Sequence, residues 1–419
     1  MIKTNDSQIL SVVHPICCGL DVHKDQVSAC LLFTDETGQP ASEIKEFKTF
    51  TDDLFSLRDW LIAHECPILA MESTGVYWRP IHNVLEHHLE VILVNARHVK
   101  NVPGRKTDIS DCKWLAGLLR HGLLKGSFIL PQYAREWREL WGVRQSYVRT
   151  TGDFGRRIHK ILQCANIKID SVVSDLFGAT GRNLMKLLIR RQSDITLEEI
   201  EQCARGKLRQ KTLELHRSIK GFFSNHHAHL LSTLLTTVEY LEAQIEAVTR
   251  RLRALMADHA PLIERLDEVP GINEIGAMGI LSHIGIDLKA FPTEDAFCSW
   301  QGICPGNNES AGKRHHGKPT VRKHPLKTLL IELAWTSIKK KGSYYKEKFH
   351  RLKARIGAKC AITAIAHKLA KAIYHIVKEG ASYRELGEEF LSRQKTAARL
   401  NRLRFQAKAL GYLLTPILP

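Results

Sequence analysis

No stretch of this 419-residue sequence approaches the roughly 18 consecutive apolar residues that a membrane-spanning helix requires, which excludes a helical membrane protein. Met1 to Ser11 has neither the basic nor the apolar region of a secretory signal, so we expect a cytoplasmic protein. The ten cysteines include no Cys-x-x-Cys pair, and neither a zinc knuckle nor a disulfide framework is indicated. Even the adjacent Cys17 and Cys18 read as reduced, mostly buried small hydrophobes. The net positive charge is confined to one region. Ala311 to Pro419 holds 6 Asp+Glu against 25 Lys+Arg, a balance of +19, whereas Met1 to Ser310 stands at −2. An uncompensated field of that size repels itself unless a polyanion neutralises it; with no membrane feature, the partner is nucleic acid.

What is present is an ordinary globular composition, 44% hydrophobic and 25% charged, long enough for two or three domains. Four carboxylates organise the first third. Asp21 lies in Cys18-Gly-Leu-Asp-Val-His23, Glu72 in Leu69-Ala-Met-Glu-Ser-Thr-Gly75, and Asp108 and Asp111 in Lys106-Thr-Asp-Ile-Ser-Asp-Cys112. The first two follow apolar runs of strand type, Ile16 to Leu20 and Pro67 to Met71, where a charge is costly unless paired or bound to a cation. Asp108 and Asp111 are three apart at the start of a helix-like stretch, so both can point one way. Oxygen ligands of this kind suit magnesium or manganese and two-metal phosphoryl chemistry. Taken singly, each acid also reads as a turn residue, and Asp108 as a helix N-cap.

Along the chain, Gln26 to Phe33 and Ser42 to Phe50 continue the first strand as an antiparallel meander. A helix over Thr51 to His64, the Glu72 strand, a helix near Val76 to His88 and a strand over Glu90 to Val94 follow, and then the Asp108 to Arg120 helix. The order β-β-β-α-β-α-β-α gives a mixed sheet covered by helices, and with acids on the first strand, the fourth strand and a late helix it resembles a ribonuclease H-like fold of the RuvC type. From Leu130 to about Met256 the pattern is helical. Leu231, Leu234, Val238, Leu241, Ile245, Val248, Leu252 and Leu255 alternate spacings of three and four, a heptad seam open to pairing between subunits or within one chain. His226, His227 and His229 just before it read as a metal cluster or as polar residues at a helix start. Val269-Pro-Gly-Ile-Asn-Glu-Ile-Gly276 reads as the turn of a helix-hairpin-helix, with Gly271 offering backbone N–H groups to a phosphate.

Ser310 sits in Trp300-Gln-Gly-Ile-Cys-Pro-Gly-Asn-Asn-Glu-Ser-Ala-Gly-Lys313, read as a loop of small and polar residues. Its hydroxyl is a poor nucleophile unless activated, which Lys313, Arg314 or a metal can do; by composition alone a turn or N-cap serine is the plainer reading. The acids in their order, Glu72-Ser-Thr-Gly75, Lys106-Thr-Asp-x-x-Asp111, Pro270-Gly271 and Gly302-x-x-Pro305 leading to Ser310-Ala-Gly312 together resemble the transposases of the insertion sequence 110 family, from about residue 16 to residue 340.

The resemblance implies a RuvC-like domain in which Asp21, Glu72, Asp108 and Asp111 hold Mg2+ or Mn2+. It implies a C-terminal transposase domain in which Ser310 attacks the scissile phosphodiester, the two sites meeting between subunits of a homo-oligomer, a dimer or a tetramer in the synapse. It further implies donor and target DNA as substrates and a structured bridge RNA that selects the sites. Lys313, Arg314, Arg322, Lys323, Lys327 and Gly271 are the candidate nucleic-acid contacts, and Arg393 to Lys408 a basic arm. The expected domains are 1–150, RuvC-like; 151–260, helical with the seam; and 261–419, mostly helical with the serine and the basic tail. The competing functions are a RuvC-like structure-specific endonuclease acting on Holliday junctions, with Ser310 only structural, and a noncatalytic nucleic-acid-binding protein.

Overall fold

The computed structural model describes residues 11–35, 38–73, 75–95, 99, 111–304, 308–310, 313–315 and 324–415. The chain divides into two compact units, Met1–Ile129 and Leu130–Pro419. In the first, β1 (Cys17–Val22) is buried almost throughout because its residues are small or aliphatic on both faces. It pairs antiparallel with β2 (Gln26–Thr34), which pairs antiparallel with β3 (Pro40–Lys48). On its other edge β1 runs parallel to β4 (Ile68–Glu72), and β4 parallel to β5 (Glu90–Val94), for the order β3-β2-β1-β4-β5. Two helices supply the crossovers, α1 (Thr51–Ala63) and α2 (Trp78–Leu85).

Strand alternation sorts the side chains between two layers. Cys18, Leu20, Val22, Leu69 and Met71 join Leu54, Leu57 and Leu61 of α1 and Ile81 and Leu85 of α2 in the larger core. The opposite face is covered by α3 (Asp111–Arg120), with Cys17, Ala70 and Leu119 in one cluster and Cys30, Cys112 and Ala116 in another. Gly19 makes this approach possible. A methyl group there would collide with the Cys112 carbonyl oxygen and the Ala116 amide nitrogen, so the helix backbone lies directly on the strand. At its far end α3 is tied down by the buried Arg120, whose guanidinium donates to the Phe33 carbonyl at 3.3 Å and to Thr34 Oγ1 at 3.1 Å. All ten cysteines are free thiols and seven are buried, in agreement with the sequence reading.

The second unit is helical apart from one short hairpin among the described residues. It opens on α4 (Gln132–Cys164), which packs antiparallel on α8 (Asn225–Leu255). Arg144 donates to Thr249 Oγ1 at 2.8 Å near one end of the pair, while Ile158 and Leu162 share a core cluster with Leu231, Leu235 and Val238 near the other. The smaller helices α5 (Ala179–Arg191), α6 (Leu197–Cys203) and α7 (Thr212–Ser218) complete that cluster.

The seam of α8 thus faces a helix of its own chain. Its buried positions are 231, 235, 238, 241, 249 and 252, so Leu235 and Thr249 enter where the heptad named Leu234 and Val248. The histidine cluster is a helix start: the His227 ring Nδ1 accepts from the Ser224 backbone N–H at 3.2 Å.

Further along, α9 (Ala260–Asp267) leads into α10 (Glu274–Ile284), which is buried on every side from Gly276 to Ile284, as a helix apolar all round must be. It packs against α4, α9 and α12 (Pro325–Ser337), while α14 (Ala358–Glu379) gathers α11 (Glu294–Trp300), α12 and α13 (Tyr344–Ile356), and the chain continues into the exposed, basic α15 (Phe390–Ala409). Among the described residues, no helix is long and apolar enough to cross a membrane.

Candidate active site

The first half-site lies at the C-terminal ends of two parallel strands. Leu20 pairs with Met71, so the next residues, Asp21 and Glu72, stand level on neighbouring strands whose axes are about 4.8 Å apart. By alternation they share the face of Gly19 and Ala70, the face that α3 covers, and Asp111 is the first residue of α3. All three carboxylates are half-buried. Asp108 lies outside the described residues. Among the described residues, no group of three or more His, Cys, Asp or Glu side chains is arranged to hold a metal ion, so the structure brings two acids side by side and a third onto the same face without closing a cluster.

The pair itself fits a hard divalent cation. Two carboxylates level on adjacent strands repel each other, and oxygen donors of this charge are what magnesium or manganese takes. Thiol ligation does not compete. Burial pushes the Cys17 thiol up to about 12 and that of Cys18 well above its ordinary value, so neither supplies a thiolate at neutral pH. His23 belongs to this end of the strand as well, its Nε2 3.2 Å from Asp21 Oδ2. The two-residue spacing, which puts both side chains on one face, is the signal that would have singled it out.

The second half-site is built around a hairpin where the sequence reading expected a loop. β6 (Asn308–Ser310) pairs antiparallel with β7 (Lys313–His315), with Ser310 opposite Lys313 and Glu309 opposite Arg314 across a two-residue connection. The segment leading into it is firmly anchored. Gly302 takes a positive φ of 70°, and its carbonyl accepts from Lys327 Nζ at 2.9 Å. The Trp300 and His324 rings meet edge to face at 4.4 Å on either side of the hairpin in sequence. Lys327 therefore has a positioning contact. Burial pushes the Cys298 thiol up to about 12 and raises that of Cys304, so both stay protonated at neutral pH. Arg322 and Lys323 lie outside the described residues.

Gly271 has a different account from the one its motif raised. With φ at 88° it packs against the backbone of Ser337, where any side chain would collide. The N-terminus of α10 just beyond it is capped by Asn273, whose Oδ1 accepts from the Gly276 N–H at 2.9 Å. Glu274, in the first turn, is held by Arg253 through two bonds at 2.6 and 3.0 Å. A capped helix start carrying a carboxylate is a poor phosphate cradle.

Comparison with known proteins bears on both half-sites. A family model described as a transposase, of the DEDD type, matches residues 18–167. A second, described as "Transposase IS116/IS110/IS902 family", matches residues 263–350. Together they cover more than half of the chain; the first contains Asp21, Glu72, Asp108 and Asp111, the second Ser310 and its flanking cations. A protein of Sinorhizobium fredii named "Putative transposase y4pF/y4sB" is 28% identical over 151 residues, 35% of this chain and 38% of that protein. The matched stretch thus spans well under half the length of that relative.

Proposed function

The chain belongs to the IS110 family of transposases, and from that premise we propose that it cuts and rejoins DNA through a serine-linked intermediate, with a structured bridge RNA choosing donor and target sites. The observation that carries the metal half of this reading is the register that sets Asp21 beside Glu72. The sheet order β3-β2-β1-β4-β5, with acids near the C-terminal ends of the neighbouring parallel strands β1 and β4, supports a ribonuclease H-like, RuvC-type first unit. Asp21, Glu72, Asp108 and Asp111 are the residues proposed to hold Mg2+ or Mn2+. A bound cation of this kind supplies Lewis-acid stabilisation of charge on the phosphoryl oxygens.

The serine half follows from what recombination demands. Ser310 Oγ attacks the scissile phosphorus and loses its proton; the phosphorus–oxygen bond to the leaving strand breaks, and that strand departs as a hydroxyl. The phosphoserine ester retains the bond that hydrolysis would discard. Attack by the hydroxyl of a second strand then joins the DNA and returns Ser310 with its proton. Lys313 and Arg314, on the strand opposite, are the cations proposed to meet the phosphate, with Arg322 and Lys323 beyond them. The excess of +19 after Ser310 supports DNA and RNA as partners.

We test the proposal with a plasmid carrying the element's ends and the RNA that copurifies. Wild type gives recombinant joints, and Asp21→Asn and Ser310→Ala chains each give none. Mixing the two chains restores joints if the working form is a homo-oligomer that draws the acids and the serine from different copies. Strand cleavage without joints, undiminished in Ser310→Ala, is the result expected of a RuvC-like endonuclease and contradicts the proposal.

A further inference from the structure

A groove of about 710 Å³ runs between α4 and α12 of the second unit, and it shares only His324 and Lys327 with the half-sites described above. Its α4 wall is one face of that helix, since Arg138, Trp141, Gln145 and Arg149 recur at spacings of three and four. Its α12 wall brings Lys327 and, at the rim, Glu332, with His324 at the helix N-cap. Three permanent cations thus face one carboxylate.

His283 of α10 also lines the groove. This imidazole is only 5% exposed, and its Nδ1 has no hydrogen-bond partner. Buried polar atoms in folded proteins are nearly always satisfied, so an unpartnered nitrogen on a ring that lines a cationic groove points to a ligand that brings an acceptor. Desolvation first, and then the charges of Arg138 and His324, hold the imidazole neutral, down to about 3. A neutral imidazole has one N–H to place on either nitrogen, and placed on Nδ1 it is a donor without desolvating a charge. Arg149 spends its Nε on the Gln145 carbonyl at 3.2 Å, and its terminal nitrogens carry further donors.

We propose that this groove is a binding site for a single phosphate group, held by Arg138, Arg149 and Lys327 from the two walls and by His283. Guanidinium forks match the tetrahedral oxygens of phosphate in pairs, and a group with several acceptors is what a groove with cationic donors on both walls requires. The phosphate belongs either to the backbone of a bound nucleic-acid strand or to a free nucleotide or phosphate. The first source rests on the transposase reading above; the site itself does not. As a backbone contact it fixes register without reading sequence. Lys327 joins this site to the serine hairpin, because the same ammonium bonds the Gly302 carbonyl that precedes β6.

The test uses the full-length protein stripped of nucleic acid. Inorganic phosphate is titrated by calorimetry, and a short single-stranded oligonucleotide is then titrated with and without phosphate present. Saturable phosphate binding is expected, weakened at least about tenfold in the exposed double variant Arg138→Gln, Arg149→Gln and in His283→Asn, and unchanged in Lys289→Gln, an exposed cation elsewhere on the unit. Competition between phosphate and the oligonucleotide assigns the site to a backbone phosphate; phosphate binding that depends on these residues without competition assigns it to a small ligand. Phosphate and oligonucleotide that both bind wild type and the double variant alike, or a wild type that binds neither, overturn the proposal. The arginine variant keeps the test decisive even where His283→Asn unfolds. Covalent DNA adduct formation, scored separately, reports on the serine reading whatever the groove does.

Discussion

Asp21 and Glu72 illustrate how a single residue exposes its task. Glu72 ends an apolar strand and Asp21 stands next to the end of another, where a charge needs a reason, and that reason was legible because the surrounding residues are so uniformly apolar. We predict that Asp21→Asn and Glu72→Gln lower DNA recombination by roughly a hundredfold or more while thermal stability stays within about 0.5 kcal/mol of wild type, since the amide loses the cation but also removes a repulsion. Recombination assays alongside differential scanning calorimetry decide it; a large stability loss with activity intact contradicts the metal assignment. His283 was illegible for the opposite reason. A lone histidine in Glu274-Ile-Gly-Ala-Met-Gly-Ile-Leu-Ser-His-Ile284 looks like core, and only the fold shows that its Nδ1 is unsatisfied and that its ring lines a groove. Ser310 was found by resemblance, but its strand was not, because Asn-Glu-Ser and Lys-Arg-His are too short and too polar to show a period of two.

At the scale of elements, the approach of α3 to β1 hangs on Gly19. Gly19→Ala forces a methyl group into the backbone of Cys112 and Ala116, so we expect a stability loss of about 1–3 kcal/mol and, because α3 carries Asp111, a loss of recombination greater than unfolding explains. Denaturant melts and activity of the folded fraction measure the two effects; an unchanged midpoint contradicts this packing.

The α11–α14 pairing offers a pH test. Glu294 accepts from Lys371 at 2.5 Å and meets His375 Nε2 at 2.8 Å, while His375 Nδ1 lies 2.9 Å from Glu379. The bonds to Glu379 and then Glu294 raise His375 above its ordinary 6.5. A raised histidine stabilises the fold fully below its unfolded value, and that contribution disappears as pH climbs through the folded one. Wild type minus His375→Gln in melting temperature is therefore largest below about pH 6.5 and shrinks above it; a difference that grows with pH contradicts the pairing.

The partial failure of the α8 heptad has a geometric cause. A helix packed in a globular core buries a stripe wider than a strict heptad seam, so the i+4 positions Leu235 and Thr249 enter the buried face while Leu231, Val238, Leu241 and Leu252 keep the heptad register.

For the whole molecule, composition carried far. The elements of the first unit follow the period-two and period-three-to-four patterns almost residue for residue, whereas the expected boundary at 150 falls inside the continuous α4, a helix with no compositional break to mark a unit's edge. The charge asymmetry was legible outright. Removing residues 381–419, which strips seven Lys+Arg, should lower nucleic-acid affinity and flatten the dependence of log affinity on log salt by about 0.9 for each phosphate the shortened chain no longer neutralises. Filter binding across a salt series reads this directly, and an unaltered slope removes the tail from the interface.

The central claim is that this member of the IS110 family joins itself to DNA through Ser310. Its most direct measurement is denaturing electrophoresis of the protein incubated with labelled DNA, its copurifying RNA and Mg2+, followed by mass spectrometry of the adduct. We predict a covalent species whose phosphodiester maps to Ser310, absent from Ser310→Ala, which still binds DNA and RNA. An adduct of equal yield in Ser310→Ala, or one mapped to another residue, contradicts the account.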